Sequence, residues 1–124
     1  MASVSLSRWF ALAGAVLVAW ITYAALMPVD WQIRLGLHWL IEHFLVFFTV
    51  TTLFCLAWPR PMAVAALLLP FTILIETAQG LTPDRVADPA TALFATTGVA
   101  SAALIADLVI ALRKRARKDT GSAG

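Results

Sequence analysis

The chain has 124 residues, of which 61% are hydrophobic and only 13% are charged, with a formal net charge of +2. Soluble domains typically contain about 45–50% apolar and about 25% charged residues. This chain therefore lacks the polar side chains to cover a water-exposed surface, which excludes an ordinary soluble domain and predicts an integral membrane protein. The single cysteine, Cys55, excludes an internal disulfide.

Four apolar windows follow one another along the chain, and each is long enough to cross a bilayer. A hydrocarbon core of about 30 Å needs roughly 20 helical residues, and the windows cover residues 9–27, 39–58, 62–79 and 90–112. The first window is longer than the apolar part of a typical signal peptide, so we interpret it as an uncleaved helix. The sequence predicts an all-α, four-transmembrane-helix bundle that forms one domain.

Lysine and arginine are distributed unevenly between the two sides of this bundle. One arginine precedes the first window, one lies between the second and third, and five follow as "RKRARK" after the fourth, whereas the opposite side holds only Arg34 and Arg85. Since basic residues favour the cytoplasmic side, we predict that both termini are cytoplasmic and that residues 113–124 form a disordered basic tail. We interpret the tail as a topology determinant attracted to anionic membrane lipids, and we expect no nucleic-acid partner.

Small residues recur every fourth position in the first and last windows. Such faces allow helix backbones to approach closely in lipid, so we expect both to pack inside the bundle, while homodimerisation stays open. Trp20 lies deep in the first window and is also expected to pack. The two small faces consist of Ala11, Ala15 and Ala19, and of Gly98, Ala102 and Ala106.

Ionisable residues interrupt the second and third windows at similar depth. Residues 62–75 would form only about 21 Å of helix, so either Glu76 lies below the outer membrane surface or the bilayer is locally thinner around this helix. Counting back about 20 residues from Trp58 places Glu42 and His43 about one turn below the same surface. Charged groups in a membrane cost at least about 2.5–3.5 kcal/mol each, so we expect all three to face the bundle interior or a water-filled cavity.

The segment "ETAQGLTPDRVAD" adds further polar groups at that surface. Gln79 lies three residues after Glu76 and shares its helix face. Arg85 is the cation placed to form ion pairs with the two glutamates. Its guanidinium group can bind a phosphate or a carboxylate. The sequence thus predicts an outer-leaflet pocket whose candidate ligand-binding residues are Glu42, His43, Glu76, Gln79, Arg85 and Asp88.

The order of these motifs resembles the VanZ-like family of membrane proteins over roughly residues 38–105. The resemblance rests on "EHFLVFF", "ETAQGLTPDR" and "ATTGVASA". The family pattern is a His-Phe, a Glu-x-x-Gln, a Pro-x-Arg, an acidic loop and a helix that begins Asp-x-x-x-Asn-x-x-Gly. The matching positions here are His43, Phe44, Glu76, Gln79, Pro83, Arg85, Asp88 and Gly98.

Two positions depart from the family pattern, because Thr91 stands at the usual Asp and Ala95 at the usual Asn. We therefore expect a divergent member. The resemblance implies a multi-pass protein of the bacterial cytoplasmic (inner) membrane, linked to the cell envelope or to resistance against teicoplanin-type glycopeptides. The ligand it suggests is a lipid-linked cell-wall precursor or another anionic envelope component.

Two other interpretations of the charged cluster stay open. A small intramembrane enzyme would use His43 as a general base oriented by Glu76, although no nucleophile motif accompanies the pair. A purely structural membrane protein would have a buried ion-pair network formed by Glu42, His43, Glu76 and Arg85. His38, Glu42 and His43 lack the spacing of known zinc signatures. We therefore assign no catalytic residue, metal or cofactor.

Overall fold

The computed structural model describes residues 2–27, 38–82 and 88–122, and these residues form an all-α structure. The four helices of this part of the chain are α1 (Ala2–Leu26), α2 (Trp39–Ala57), α3 (Pro61–Gly80) and α4 (Pro89–Ser122). Each is long and apolar enough to cross a membrane. The predicted four-helix membrane fold is confirmed, while the cytoplasmic placement of the termini stays a prediction.

Proline and polar caps set the helix boundaries. The His38 side chain accepts a hydrogen bond from the Leu40 N–H at the start of α2, and Pro61 is the first residue of α3. Proline is favoured at this position because its missing N–H would have no partner inside the helix. Pro89 occupies the same position in α4.

The last helix is longer than the sequence analysis predicted. We expected a disordered tail after residue 112, but α4 continues through the basic segment to Ser122. Alanine, arginine and lysine all have high helix propensity, and no proline interrupts residues 113–118. The apolar span therefore continues directly into an exposed basic helix.

Helices α2 and α3 each contact the other three helices, whereas α1 and α4 make no contact with each other among the described residues. The core contains Phe47 and Val50 of α2, Leu68 of α3 and Val99 of α4, among others. A Cβ on Gly98 would lie 2.5 Å from the Phe44 carbonyl oxygen. Gly98 is therefore the residue that allows α2 and α4 to approach so closely.

The small-residue faces of α1 and α4 differ in how deeply they are buried. On α4, Gly98 and Ala102 are buried as predicted. On α1, Ala15 and Ala19 are exposed, whereas Gly14 is buried against α2, where a Cβ would lie 3.0 Å from the Phe54 ring. The expectation that the alanine face of α1 packs inside the bundle is wrong, because α1 contacts α2 through a different face.

Candidate functional site

The connectivity separates charge between the two ends of the bundle. The start of α1 lies beside the end of α2, where the Ser7 hydroxyl donates to the Ala57 carbonyl at 2.5 Å. We call this the basic end; its residues are Arg8, Arg60 and the basic segment 113–118. We call the opposite end the acidic end; its described charged residues are Glu42, Glu76 and Asp88.

Glu76 is the buried charged residue at the acidic end. Only 9% of its surface is exposed, and it lies one turn before the end of α3. Its Oε1 accepts a hydrogen bond from the backbone N–H of Asp88, the residue just before α4. The prediction that Glu76 is buried is therefore confirmed, and its partner among the described residues includes a main-chain group.

Asp88 is the N-cap of α4. Its Oδ1 accepts from the Ala90 N–H at 2.9 Å, and its carbonyl accepts from the N–H groups of Thr91 at 3.0 Å and Ala92 at 3.4 Å. In a capping box, the third helical residue reaches back to the N-cap N–H. Here that residue is Thr91, and Glu76 takes the N-cap N–H from a neighbouring helix instead. The carboxylate of Glu76 thus joins α3 to α4.

Thr91 differs from the other described threonines. It is 4% exposed, yet its hydroxyl makes no hydrogen bond to any residue that the structure describes. The other threonines donate to a backbone carbonyl three or four residues earlier, as Thr51 does to Phe47 at 2.7 Å. Buried hydroxyls normally have a partner, so an unpartnered one beside the Glu76–Asp88 joint is a candidate ligand contact.

Ala95 is also buried, at 3% exposure. Thr91, Ala95 and Gly98 are separated by four and three residues and therefore share one face of α4. Gly98 directs this face towards α2. The two positions that depart from the VanZ-like pattern thus point into the bundle, where their side chains decide how polar its interior is.

Glu42 and His43 lie in the first turns of α2, and both are half-buried. The Nδ1 atom of His43 hydrogen bonds to the Trp39 carbonyl at 2.7 Å. A carbonyl oxygen is an acceptor, so Nδ1 is the donor of this hydrogen bond. His43 makes no hydrogen bond to a carboxylate of the described residues, so the geometry of an oriented His/Glu base is not present there.

Gln79 is half-buried in the last turn of α3. The backbone carbonyl of Gln79 accepts hydrogen bonds from the Thr82 hydroxyl at 2.7 Å and from the Thr82 N–H at 3.1 Å. These bonds cap the C-terminal end of α3. Arg85 lies outside the described residues. Glu42, His43, Glu76, Gln79 and Asp88 all belong to the acidic end, and among the described residues a hydrogen bond joins Glu76 to the backbone of Asp88.

Sequence reasoning missed two features of this end. It treated Asp88 as an acidic loop residue, although an Asp directly before Pro89 is a recognisable N-cap signal. It also treated Thr91 only as a departure from a family pattern. Within the described residues, no group of three or more His, Cys, Asp or Glu side chains has an arrangement that could hold a metal ion.

Comparison with known proteins gives no match to a family model, to a curated protein or to a solved structure.

Proposed function

We propose that this chain is a divergent VanZ-like protein of the bacterial inner membrane whose acidic end binds the polar headgroup of a lipid-linked envelope ligand. The observation that carries the proposal is the buried Thr91 hydroxyl, which has no partner among the described residues. It lies one turn after Asp88, where α3 and α4 are joined. The motif order of the sequence supports a role in the cell envelope or in teicoplanin-type resistance.

The capping of α4 decides which part of a ligand suits this site. An uncapped helix N-terminus would attract an anion through its N–H groups. Here Glu76 accepts from the Asp88 N–H, and Asp88 accepts from Ala90, Thr91 and Ala92. These N–H groups are occupied, so the start of α4 offers a ligand oxygen acceptors and the Thr91 hydroxyl in place of free N–H groups. A ligand contacts them best through donor groups such as sugar hydroxyls or an amine.

The anionic part of such a ligand is assigned to Arg85. A guanidinium binds phosphate through two parallel hydrogen bonds, and Arg85 follows α3 by five residues and precedes Asp88 by three. A headgroup with hydroxyl groups beside a phosphate would donate to the oxygen acceptors at the start of α4 and accept from Arg85. A lipid-linked sugar phosphate, which is the chemical class of wall precursors, has this composition.

Because Thr91 and Ala95 are buried, their departure from the family pattern makes the interior of the site less polar. An Asp and an Asn there would direct two strongly polar groups into the bundle, whereas Thr91 retains one hydroxyl and Ala95 has none. Because each hydrogen bond contributes about 0.5–1.5 kcal/mol net, we propose that this chain binds its ligand more weakly than the family pattern would.

A structural role is the second candidate, and the Glu76–Asp88 hydrogen bond favours it. That bond fixes the start of α4 to the end of α3, which any function of the bundle requires. Glu76→Gln separates the two roles, because its amide oxygen still accepts from the Asp88 N–H. If Glu76→Gln keeps both folding and the envelope phenotype, the side chain is structural; if it keeps folding alone, the carboxylate contacts a ligand.

The direct test of the proposed function is complementation of a deletion strain challenged with teicoplanin. The wild-type chain is expected to protect, and Thr91→Val and Arg85→Ala are expected to protect less at equal expression. Thr97→Val is the matched control, because Thr97 is exposed and its hydroxyl already bonds the Leu93 carbonyl. If Thr91→Val and Arg85→Ala both protect as well as the wild type, the binding role is wrong.

A further inference from the structure

Helix α1 leaves one broad apolar face uncovered. Helix α1 contacts α2 and α3 but not α4 among the described residues, so part of its surface has no helical neighbour there. Trp20, which we expected to pack, is 47% exposed, and Trp9 is 66% exposed. Between the two rings lies an open groove of about 610 Å³, lined by Trp9, Leu12, Ala13, Val16, Leu17 and Trp20.

The length of this groove matches one leaflet. The helix rises about 16 Å between Trp9 and Trp20, which is roughly half of a hydrocarbon core of about 30 Å. The groove starts near the basic end, where Trp9 is placed to anchor at the membrane interface. Its lining is apolar throughout, so an acyl chain would fit along it.

A cation lies at the edge of the groove. Arg8 is exposed and precedes Leu12, a lining residue, by one helical turn, so both lie on the same side of α1. A long basic side chain near the end of a span extends its charge towards the headgroups. An apolar groove that begins beside such a cation is complementary to an acidic phospholipid.

We propose that the α1 groove is a binding site for an acidic phospholipid of the leaflet at the basic end, with one acyl chain between Trp9 and Trp20 and the phosphate at Arg8. A second copy of the chain fits less well. A two-fold symmetric interface repeats the same residues on both copies, and parallel packing through this face would bring the two Arg8 guanidinium groups towards each other.

The test measures phospholipid retained by the full chain in native mass spectrometry after extraction from membranes that contain equal amounts of phosphatidylglycerol and phosphatidylcholine. The wild type is expected to retain phosphatidylglycerol with about a fivefold preference, which is the contribution of one basic residue near an anionic headgroup. Arg8→Gln should lower this preference clearly, and what remains is the attraction of the basic segment 113–118, which both chains share. Ala13→Phe, which fills the groove, should lower total retention.

Two matched variants control for general effects. Arg117→Gln removes a basic residue that is exposed on α4, and Ala19→Phe adds a ring to an exposed position of α1 outside the groove. Both are expected to retain lipid as the wild type does. Equal loss in Arg117→Gln and Arg8→Gln, or no preference in the wild type, would overturn the proposal, as would a dimer that Ala13→Phe dissociates.

A fluorescence measurement on the folded chain in vesicles is a second test of the proposed phospholipid site. The chain with Trp31, Trp39 and Trp58 changed to Phe keeps only the two groove tryptophans. Brominated phosphatidylglycerol is expected to quench it more strongly than brominated phosphatidylcholine, and Arg8→Gln should remove the difference. Equal quenching by the two lipids before that substitution would contradict the proposed site.

Discussion

The two ends of the bundle use charge in opposite ways. At the acidic end, Glu76 is buried and bonded to the backbone of another helix. At the basic end, Arg8, Arg60 and the residues of segment 113–118 are all exposed. A buried charge in a membrane protein has a large desolvation cost and requires fixed partners, whereas exposed charges mainly set orientation and contact lipid headgroups. This difference is why we propose a specific site at the acidic end and not at the basic end.

Among the substitutions that test this comparison, Gly98→Leu should lower the free energy of unfolding most. Its side chain would collide with the α2 backbone at Phe44, where even a Cβ lies 2.5 Å from the carbonyl oxygen. Overpacking of this kind typically costs about 1–3 kcal/mol, and sometimes more. The measurement is denaturant unfolding in micelles, with Gly121→Leu as control because no atom lies within 4 Å of a Cβ there. Equal stability of the two variants would contradict the α2–α4 packing described above.

Glu76→Ala should have the next largest effect. It removes the acceptor of the partly buried Asp88 N–H, and a buried group without its partner costs about 1–3 kcal/mol. Glu76→Gln keeps an amide oxygen and should lose less. At the basic end, Asp119 is exposed, so Asp119→Ala should change stability by less than about 0.5 kcal/mol. The account of the two ends is wrong if Asp119→Ala destabilises the chain as much as Glu76→Ala.

Thr91→Val should stabilise the unliganded chain by up to about 1 kcal/mol. The substitution keeps the side-chain volume and removes a buried hydroxyl without a partner among the described residues, whose burial is unfavourable. Thr97→Val, at an exposed position, should leave stability within about 0.5 kcal/mol. A clear loss of stability in Thr91→Val, measured in the same unfolding experiment, would show that the hydroxyl has a structural partner.

The smallest effect on stability is expected from the basic end itself. Replacing the five basic residues of segment 113–118 by Gln should change unfolding by less than about 0.5 kcal/mol per residue, since all of them are exposed. Orientation should nevertheless become mixed, because these residues are most of the positive bias. Thiol labelling of Gly121→Cys from each side of the membrane would measure this. A uniform cytoplasmic label after all five replacements would contradict the assigned role.

The parts of the fold that could be predicted are those that depend on local sequence. Apolar length and proline positions located α2 and α3 closely, and the short apolar run before Glu76 indicated its burial. The same four-residue spacing of small residues, however, occurs in α1 and α4, and only tertiary contacts decide that Gly98 is buried while Ala15 is exposed. A spacing rule has no information about which helices are neighbours.

The candidate site was predictable only at the level of its acidic side chains. From charge alone, the expected partner of Glu76 is a cation, and the sequence predicts Arg85, which lies outside the described residues. It could not identify the Asp88 backbone N–H, because every non-proline residue has such a group and only the fold decides which one lacks a helical partner. The unpartnered hydroxyl of Thr91 is equally a property of packing.

The measurement that tests the central claim most directly is ligand-dependent thermal unfolding of the wild type and Thr91→Val in micelles of constant phospholipid content. The probe is a polyprenyl-phosphate sugar, and a ligand that binds only the folded state raises its stability by mass action. We predict that the probe raises the Tm of the wild type clearly, and that of Thr91→Val less, although Thr91→Val unfolds no earlier without it. Identical stabilisation of the two chains, or none in the wild type, would contradict a headgroup site at the acidic end.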